Sequence, residues 1–386
     1  MKVLCLGGSG GMGRFATKAI VDFKELEAIT VADLNKDAAE EFANSFDAKV
    51  QGIGLDVTDN KKLAEALKEH DVVLNTTGPF FMFGVPILKA AIENNCHYLD
   101  ICDDWEPTEE MLQLDSQAKD AEITAIIGLG ASPGITNLMG LVAMEELDSV
   151  DTVITGWDLS SVNPAEESSQ IGTNAAMLHG IQQMTGAVKI FEDGQLSMVQ
   201  SLKKLKIKYP GKGIYPANIF GHPEAISFPH HFPEIKNAIN VAHGSKALDI
   251  YIIKIFLWLT EKKIISHDKA ANFFHWLETK SSRPSFRDER TGLPAIYGLA
   301  YGMKNGNIAS VGVTFGKNDL AKETSMRDAP APPLARALKL FLQGKIYKSG
   351  VFAPEGGAIN AEDFFSAYKE LGELNEGLDI SRSWEA

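Results

Sequence analysis

The chain has 386 residues, enough for about two to three domains, and its 45% hydrophobic and 23% charged content is that of a globular protein. Its formal net charge of −14 argues against a nucleic-acid surface, which needs clustered Lys and Arg. It also argues against general attraction to anionic membranes.

The first apolar run, Val3–Leu6, leads at once into Gly7-Gly-Ser-Gly-Gly-Met-Gly13 and the helix-like stretch Arg14–Phe23. Residues 8–13 fit G-x-G-x-x-G between a strand and a helix, the context of a dinucleotide-binding turn. In that reading Gly8 makes the tight turn, Gly10 lets the backbone approach a pyrophosphate, and Gly13 lets the helix pack close. Ser9, Gly11 and Met12 complete the loop, and the helix start offers free N–H groups and a positive dipole end. A second apolar run, Ile29–Ala32, closes on Asp33, where the fingerprint expects an acid for the ribose hydroxyls. A glycine-rich turn in an ordinary α/β domain is the alternative. With the phosphate loop directly behind the first strand, no signal peptide is expected. The three cysteines, Cys5, Cys96 and Cys102, lack zinc spacing, so a reducing, cytoplasmic setting is expected.

Further apolar runs at Val50–Leu55, Val72–Asn75, Tyr98–Ile101 and Ile123–Ile127 alternate with helix patterns at Lys36–Asp47, Asn60–Glu69, Pro86–Asn95 and Pro107–Lys119. Pro86 and Pro107 are read as first-turn prolines. The alternation predicts βαβ units and a parallel, doubly wound sheet of the Rossmann type. Ligands of such sheets bind at the carboxyl ends of the strands. That rim comprises the glycine loop, Asp33, Asp56-Val57, Asn75–Pro79, Asp100–Asp104 and Gly128–Thr136. Thr76, Gly78 and Pro79 are expected near the inner ribose and nicotinamide, with Phe80, Phe81 and Phe83 either shielding the ring or filling core. The segment His97–Asp104 is the best source of acid–base groups, with His97, Asp100 and Asp103 as candidates. The alternative for Asp103 and Asp104 is a polar cap before Pro107. Gly128–Asn137 reads as a second glycine-rich turn, or a hinge.

After about residue 135 the rhythm changes. Residues 205–233 are read as loop-rich and 245–280 as helical. The apolar stretch Ile250–Leu259 is too short to span a bilayer and reads as a buried helix or a subunit interface, with an interfacial membrane contact as the lesser alternative. Asn305-Gly306 marks a hairpin, so a second α+β domain is expected, and helix patterns near Leu334–Gln343 and Ala361–Leu371 end the chain. The expected division is 1–132 for the dinucleotide domain, 133–328 for a substrate and dimerisation domain, and 329–386 for helices returning to the first. Arg283, Arg287 and Arg290, three of only seven arginines, suit bidentate carboxylate contacts or form a solvated loop. His222, His230 and His231 lack metal-ligand spacing, and no metal is expected. No Tyr-x-x-x-Lys pair occurs, which disfavours the single-domain short-chain dehydrogenases.

The run Gly7–Gly13, Asn75-x-x-Gly-Pro-Phe80 with Gly84-x-Pro86, His97-Tyr-x-Asp100, Ser132-Pro-Gly-x-x-Asn137 and Gly350-Val-x-x-Pro-Glu355 together resemble the saccharopine dehydrogenase-like proteins. That group includes saccharopine reductases, lysine 6-dehydrogenases and carboxynorspermidine dehydrogenases. The resemblance is tight over residues 1–140 and patchy beyond. It implies a Rossmann domain with a second α+β domain, NAD(P)-linked hydride transfer at a carbon–nitrogen bond of an amino acid or imine in the cleft between domains, and a homodimer. Members often follow His-Tyr-x-Asp with a small residue and Glu, where this chain has Cys102-Asp103-Asp104-Trp105. Asp33, followed by Leu34 and Asn35 rather than arginine, favours NAD over NADP. Two other readings stay open from sequence: an enoyl reductase acting on a lipid-like substrate, and a dinucleotide sensor without turnover.

Overall fold

The computed structural model describes residues 1–46, 49–159, 180–244, 247–270, 272–273, 292–316, 331–370 and 377–385. They fall into two compact units, residues 1–135 with 328–374, and residues 136–327 with 375–386.

The first unit alternates strand and helix from its second residue: β1 (Lys2–Leu6), α1 (Gly11–Ile20), β2 (Ala28–Asp33), α2 (Lys36–Ala43), β3 (Val50–Gly54), α3 (Asn60–Lys68), β4 (Val72–Asn75), α4 (Phe80–Glu93), β5 (His97–Asp100), α5 (Trp105–Leu112), α6 (Asp115–Asp120) and β6 (Thr124–Ile126). The strands pair in parallel in the order β3-β2-β1-β4-β5-β6. The order reverses between β1 and β4, where α/β sheets place their ligands. Near-continuous apolar strands follow from burial on both faces: Val3, Leu4, Leu6, Val72, Val73 and Leu74 are fully enclosed. Asn35 and Asp59 cap α2 and α3 by accepting the Ala38 and Lys62 N–H groups.

Helix α4 starts six residues before the expected Pro86, because Pro79 sets its N-cap and Phe80 its first turn. Pro86 therefore lies inside the helix, not in its first turn.

The second unit opens with α7 (Ile135–Glu145) and is built on a mixed sheet. Its strands are β7 (Ser149–Asp158), β8 (Ala187–Glu192), β9 (Gln195–Gln200), β10 (Lys204–Tyr209), β11 (Gly213–Phe220), β12 (Asn237–His243), β13 (Ile296–Lys304) and β14 (Asn307–Phe315), with α8 (Glu224–His231) and α9 (Ala247–Glu261) between them. Residues 205–233 are thus not loop: alternation in Lys204–Tyr209 forms an edge strand, antiparallel to β11, in which Pro216 lies opposite Lys206. Asn305 and Gly306 take positive φ values of 50° and 76° and join β13 to β14 by a two-residue turn.

The chain then returns to the first unit with α10 (Ala331–Leu342), β15 (Gly350–Phe352) and α11 (Ala361–Glu370). β15 pairs in parallel with β6 as a seventh strand, so the Gly350-Val motif is sheet edge. The last strand, β16 (Leu378–Arg382), pairs with β14. The tail beyond 375 therefore belongs to the second unit rather than returning with the helices.

Candidate active site

The glycine loop is shaped by backbone contact. Gly7, not Gly8, takes the left-handed conformation, with φ of 67°, and Gly8 is excluded from carrying a side chain by the Cys5 carbonyl 2.8 Å from its ideal Cβ position. At Gly13 a Cβ would collide with the Gly7 carbonyl, which is how α1 comes to lie on the end of β1. Gly10 and Gly11 differ: they are exposed, a Cβ on Gly11 meets nothing within 4 Å, and one on Gly10 meets only the Gly7 carbonyl at 3.2 Å. Gly10 is the N-cap of α1 and gives it no side-chain cap. The first helical bond is Arg14 N–H to the Gly10 carbonyl at 2.9 Å, so the first-turn N–H groups of Gly11, Met12 and Gly13 precede it at the positive end of the helix. Space outside Gly10 and an uncapped helix start fit a pyrophosphate.

Asp33 stands at the end of β2 beside this loop. Its Oδ2 accepts the Ser9 hydroxyl at 2.7 Å and its Oδ1 the Asn35 N–H at 3.2 Å. Arg14 donates from Nε to the Ser9 carbonyl at 2.7 Å and stacks 4.5 Å above the Phe42 ring. Sequence reading found no arginine after Asp33; the fold brings one from α1. Asp56 and Val57 close the far side of the rim after β3, where Asp56 is exposed and Val57 half-buried. The Thr58 hydroxyl and N–H hold the Asp56 carboxyl below its ordinary range.

Thr76 locks the loop after β4, donating from its N–H and its hydroxyl to the Leu6 carbonyl at 3.0 and 2.8 Å. Gly78 is exposed and Pro79 half-buried. Of the aromatics that follow, Phe80 is core at 6% exposure whereas Phe81 and Met82 are half open at 52% and 54%. These two present an apolar surface at the rim, as a shield for a ring requires.

A buried chain of hydrogen bonds runs behind this rim. Asn75 Nδ2 donates to the Tyr98 hydroxyl at 2.9 Å, which donates to Asp100 Oδ2 at 2.8 Å. Asp100 Oδ1 accepts the Cys102 N–H at 3.0 Å and the Gly128 N–H at 2.7 Å. All three side chains are fully buried. Burial pushes the Asp100 carboxyl up to about 6, against its three hydrogen bonds, with the nearby Asp103 charge adding to the rise. Asp100 is thus a clasp tying the ends of β4, β5 and β6, sealed from any substrate, and its expected role as a proton carrier is corrected on that ground.

His97 is also misplaced for chemistry. It begins β5, so it lies at the amino end of the sheet, about 10 Å from the rim at three strand steps. Its Nδ1 accepts the Thr124 N–H at 2.9 Å and its ring packs 4.7 Å from Phe341. Burial, opposed by Asp71, keeps it below its ordinary pKa. Asp103 is the candidate that does reach the rim, half-buried just beyond β5. Asp104 is the N-cap position of α5 but gives no side-chain cap, which removes the simple capping alternative for it. The loop after β6 is held by Gly130 N–H to the Pro133 carbonyl and Ile135 N–H to the Gly130 carbonyl, at 2.9 and 3.0 Å.

The second unit holds a polar cluster that sequence reading missed, because its members are spread over four elements. Glu224 Oε1 accepts from the Thr136 hydroxyl and from Asn240 Nδ2, both at 3.0 Å. Asn240 also donates to Thr155 and accepts the Trp157 indole N–H at 3.1 Å. His222 stacks on Trp157 at 5.6 Å and lies 3.8 Å from Glu224, while His230 and His231 pack edge to face. Arg283, Arg287 and Arg290 lie outside the described residues.

Comparison with known proteins agrees with this geometry. Residues 3–126 match the family model described as the saccharopine dehydrogenase NADP binding domain. The carboxynorspermidine synthase of Vibrio alginolyticus is 23% identical over 95% of this chain and 94% of its own length. The NADP(+), L-glutamate-forming saccharopine dehydrogenase of Pyricularia oryzae is 27% identical over 53% of this chain and 46% of its length. The L-Glu-forming saccharopine dehydrogenase of Saccharomyces cerevisiae shares the fold, with a TM-score of 0.61 over 99% of both chains at 18% identity. The fingerprint loop and the acid at the end of β2 both lie within this matching segment, so residues 3–126 are similar to a saccharopine dehydrogenase NADP binding domain and the chain is an NAD(P)-dependent oxidoreductase.

Proposed function

We propose that the chain interconverts an amino acid and its imine by hydride transfer at a carbon–nitrogen bond, on a substrate that carries both an amine and a carboxylate. The observation that carries this reading is the open phosphate cradle at Gly10 with Asp33 beside it, joined to full-length similarity with a carboxynorspermidine synthase. When bound, the nicotinamide supplies the hydride chemistry. The protein's own residues do the rest. Gly10, Gly11 and the first turn of α1 receive the pyrophosphate, Asp33 accepts from the adenosine ribose, and Asp56 with Val57 borders the adenine side. Thr76, Gly78 and Pro79 would hold the inner ribose, and Phe81 with Met82 would exclude water from the ring. Asp103 takes or returns the proton at the substrate nitrogen. NAD is the preferred cofactor because a carboxylate at 33 repels a 2′-phosphate, while Arg14, anchored to Ser9, supplies the charge by which NADP is also accepted.

The same reading takes the chain as a homodimer in the cytoplasm. Its three cysteines are free and buried, which suits a reducing compartment, and light scattering tests the dimer. No helix among the described residues is long and apolar enough to cross a membrane. The decisive assay incubates the protein with NAD or NADP and a panel of amino acids, and with the reduced cofactors and pairs of amines and oxo acids, following reduced-nicotinamide absorbance. Turnover with an amino acid or an imine-forming pair supports the reading. Turnover confined to enoyl lipids, or cofactor binding with no turnover on any of them, overturns it.

A further inference from the structure

The −14 charge is unevenly spread. Between Asp193 and Glu224 there is no acidic residue, while lysines occur at 203, 204, 206, 208 and 212. On the edge strand β10, Lys204, Lys206 and Lys208 alternate outward. Ile214, which pairs directly with Lys208 across the β10–β11 hairpin and so shares its face, is 62% exposed. Lysines on an edge strand guard against strand addition, and that alone would explain three of them.

The neighbouring helix is not explained that way. On α9, Tyr251, Ile255 and Trp258 are 63%, 41% and 52% exposed, and their spacing puts them in one stripe. Lys254 lies within the same stripe. The last turn of α9 is pinned to the β8–β9 hairpin, where Glu261 Oε1 accepts the Gly186 N–H at 2.9 Å and Gln200 Nε2 at 3.4 Å. Met198, on the same face of β9 as Gln200, is 53% exposed. Burial, and then the like charge of Lys204 close by, disfavours the Lys254 ammonium. Neither lysine makes an ion pair with another described residue.

We propose that the α9 stripe and the lysine face of β10 together form a docking surface for an anionic lipid bilayer. An indole, a phenol and branched aliphatics beside lysines suit the headgroup boundary, where the rings enter and the ammonium groups reach the phosphates. The anionic leaflet facing the cytoplasm supplies the complementary charge. A second copy of the chain fits less well, since a two-fold contact sets this lysine-bearing surface against a second lysine-bearing surface. A nucleic acid would leave the aliphatic stripe without a partner. The attachment is peripheral and reversible, and independent of the reaction assigned above.

The test is co-sedimentation of the full chain with phosphatidylcholine vesicles, with and without about 30% phosphatidylserine, at near-physiological salt. Binding is expected only with phosphatidylserine and should weaken as salt rises. The double variant Lys204→Glu/Lys206→Glu and the single variant Trp258→Ser should each lower it by about tenfold or more, with thermal unfolding and NAD(H) affinity unchanged. No binding to the anionic vesicles overturns the proposal. So does binding that Trp258→Ser leaves intact, which marks a general polyanion patch. A Trp258→Ser variant that turns a dimer into a monomer without altering vesicle binding assigns the stripe to a contact between copies instead.

Discussion

Asp100 offers the sharpest test of how the rim is held. Its carboxylate receives the Tyr98 hydroxyl, the Cys102 N–H and the Gly128 N–H, all fully enclosed. Asp100→Ala leaves three buried donors without an acceptor. At about 1–3 kcal/mol for each orphaned group, and with water entering the small space released, the first unit should lose about 3–5 kcal/mol. Asp100→Asn keeps an acceptor for both N–H groups and orphans only the Tyr98 hydroxyl proton, because two amide groups then donate to that oxygen. Its cost should be about 1–2 kcal/mol near pH 7.5. The two variants also differ from wild type in pH dependence, and the sign is fixed by the raised carboxyl. The folded value of about 6 lies above the ordinary 3.8, so the folded state holds the proton more tightly. The resulting stabilisation is fully present below pH 3.8 and is lost as pH rises through about 6. A rise of about two pKa units bounds this at about 3 kcal/mol. The gap between wild type and Asp100→Asn should therefore narrow on going from about pH 4.5 to about pH 7.5. Hydrogen exchange read by mass spectrometry on the segments 97–104 and 126–134, together with denaturant unfolding, measures both effects. Unchanged exchange at residues 102 and 128 in Asp100→Ala would refute the clasp. A gap that widens with pH would refute the raised carboxyl.

Gly10→Val should fold, since Gly10 has φ of −75° and only the Gly7 carbonyl nearby, but should abolish NAD(H) binding by calorimetry; wild-type affinity would remove the pyrophosphate from this loop. Asp33→Ala should weaken NAD by about 1.5–3 kcal/mol, the worth of hydrogen bonds to a charged group, and shift preference toward NADP, whereas a wild-type enzyme already preferring NADP contradicts the role given to Asp33. Asp103→Asn should lower turnover roughly 100-fold or more, the scale of general acid–base catalysis, with cofactor affinity little changed. His97→Gln should leave turnover near wild type and lower stability only, and the reverse pattern in these two variants would exchange their roles.

Local chemistry determined much of this protein directly. Short apolar runs closing at Gly7, Asp33 and Asn75 read as strands buried on both faces, and glycines at 7–13 with Asp33 at the end of the next strand pointed to a dinucleotide. The Asn305-Gly306 turn was equally legible, because few residues accept positive φ twice in succession. Other features depended on partners far along the chain. His97 and Asp100 are three residues apart and both titratable, yet the parallel register sends one to the amino end of the sheet and encloses the other under the loop of Gly128. Arg14 reaches the neighbourhood of Asp33 only because α1 lies beside α2, and β15 joins the sheet from more than 200 residues away. Periodicity records which way a residue faces along its own strand or helix. It carries no record of which strand lies next, and that neighbour decides whether a carboxylate meets substrate, solvent or three backbone-anchored donors.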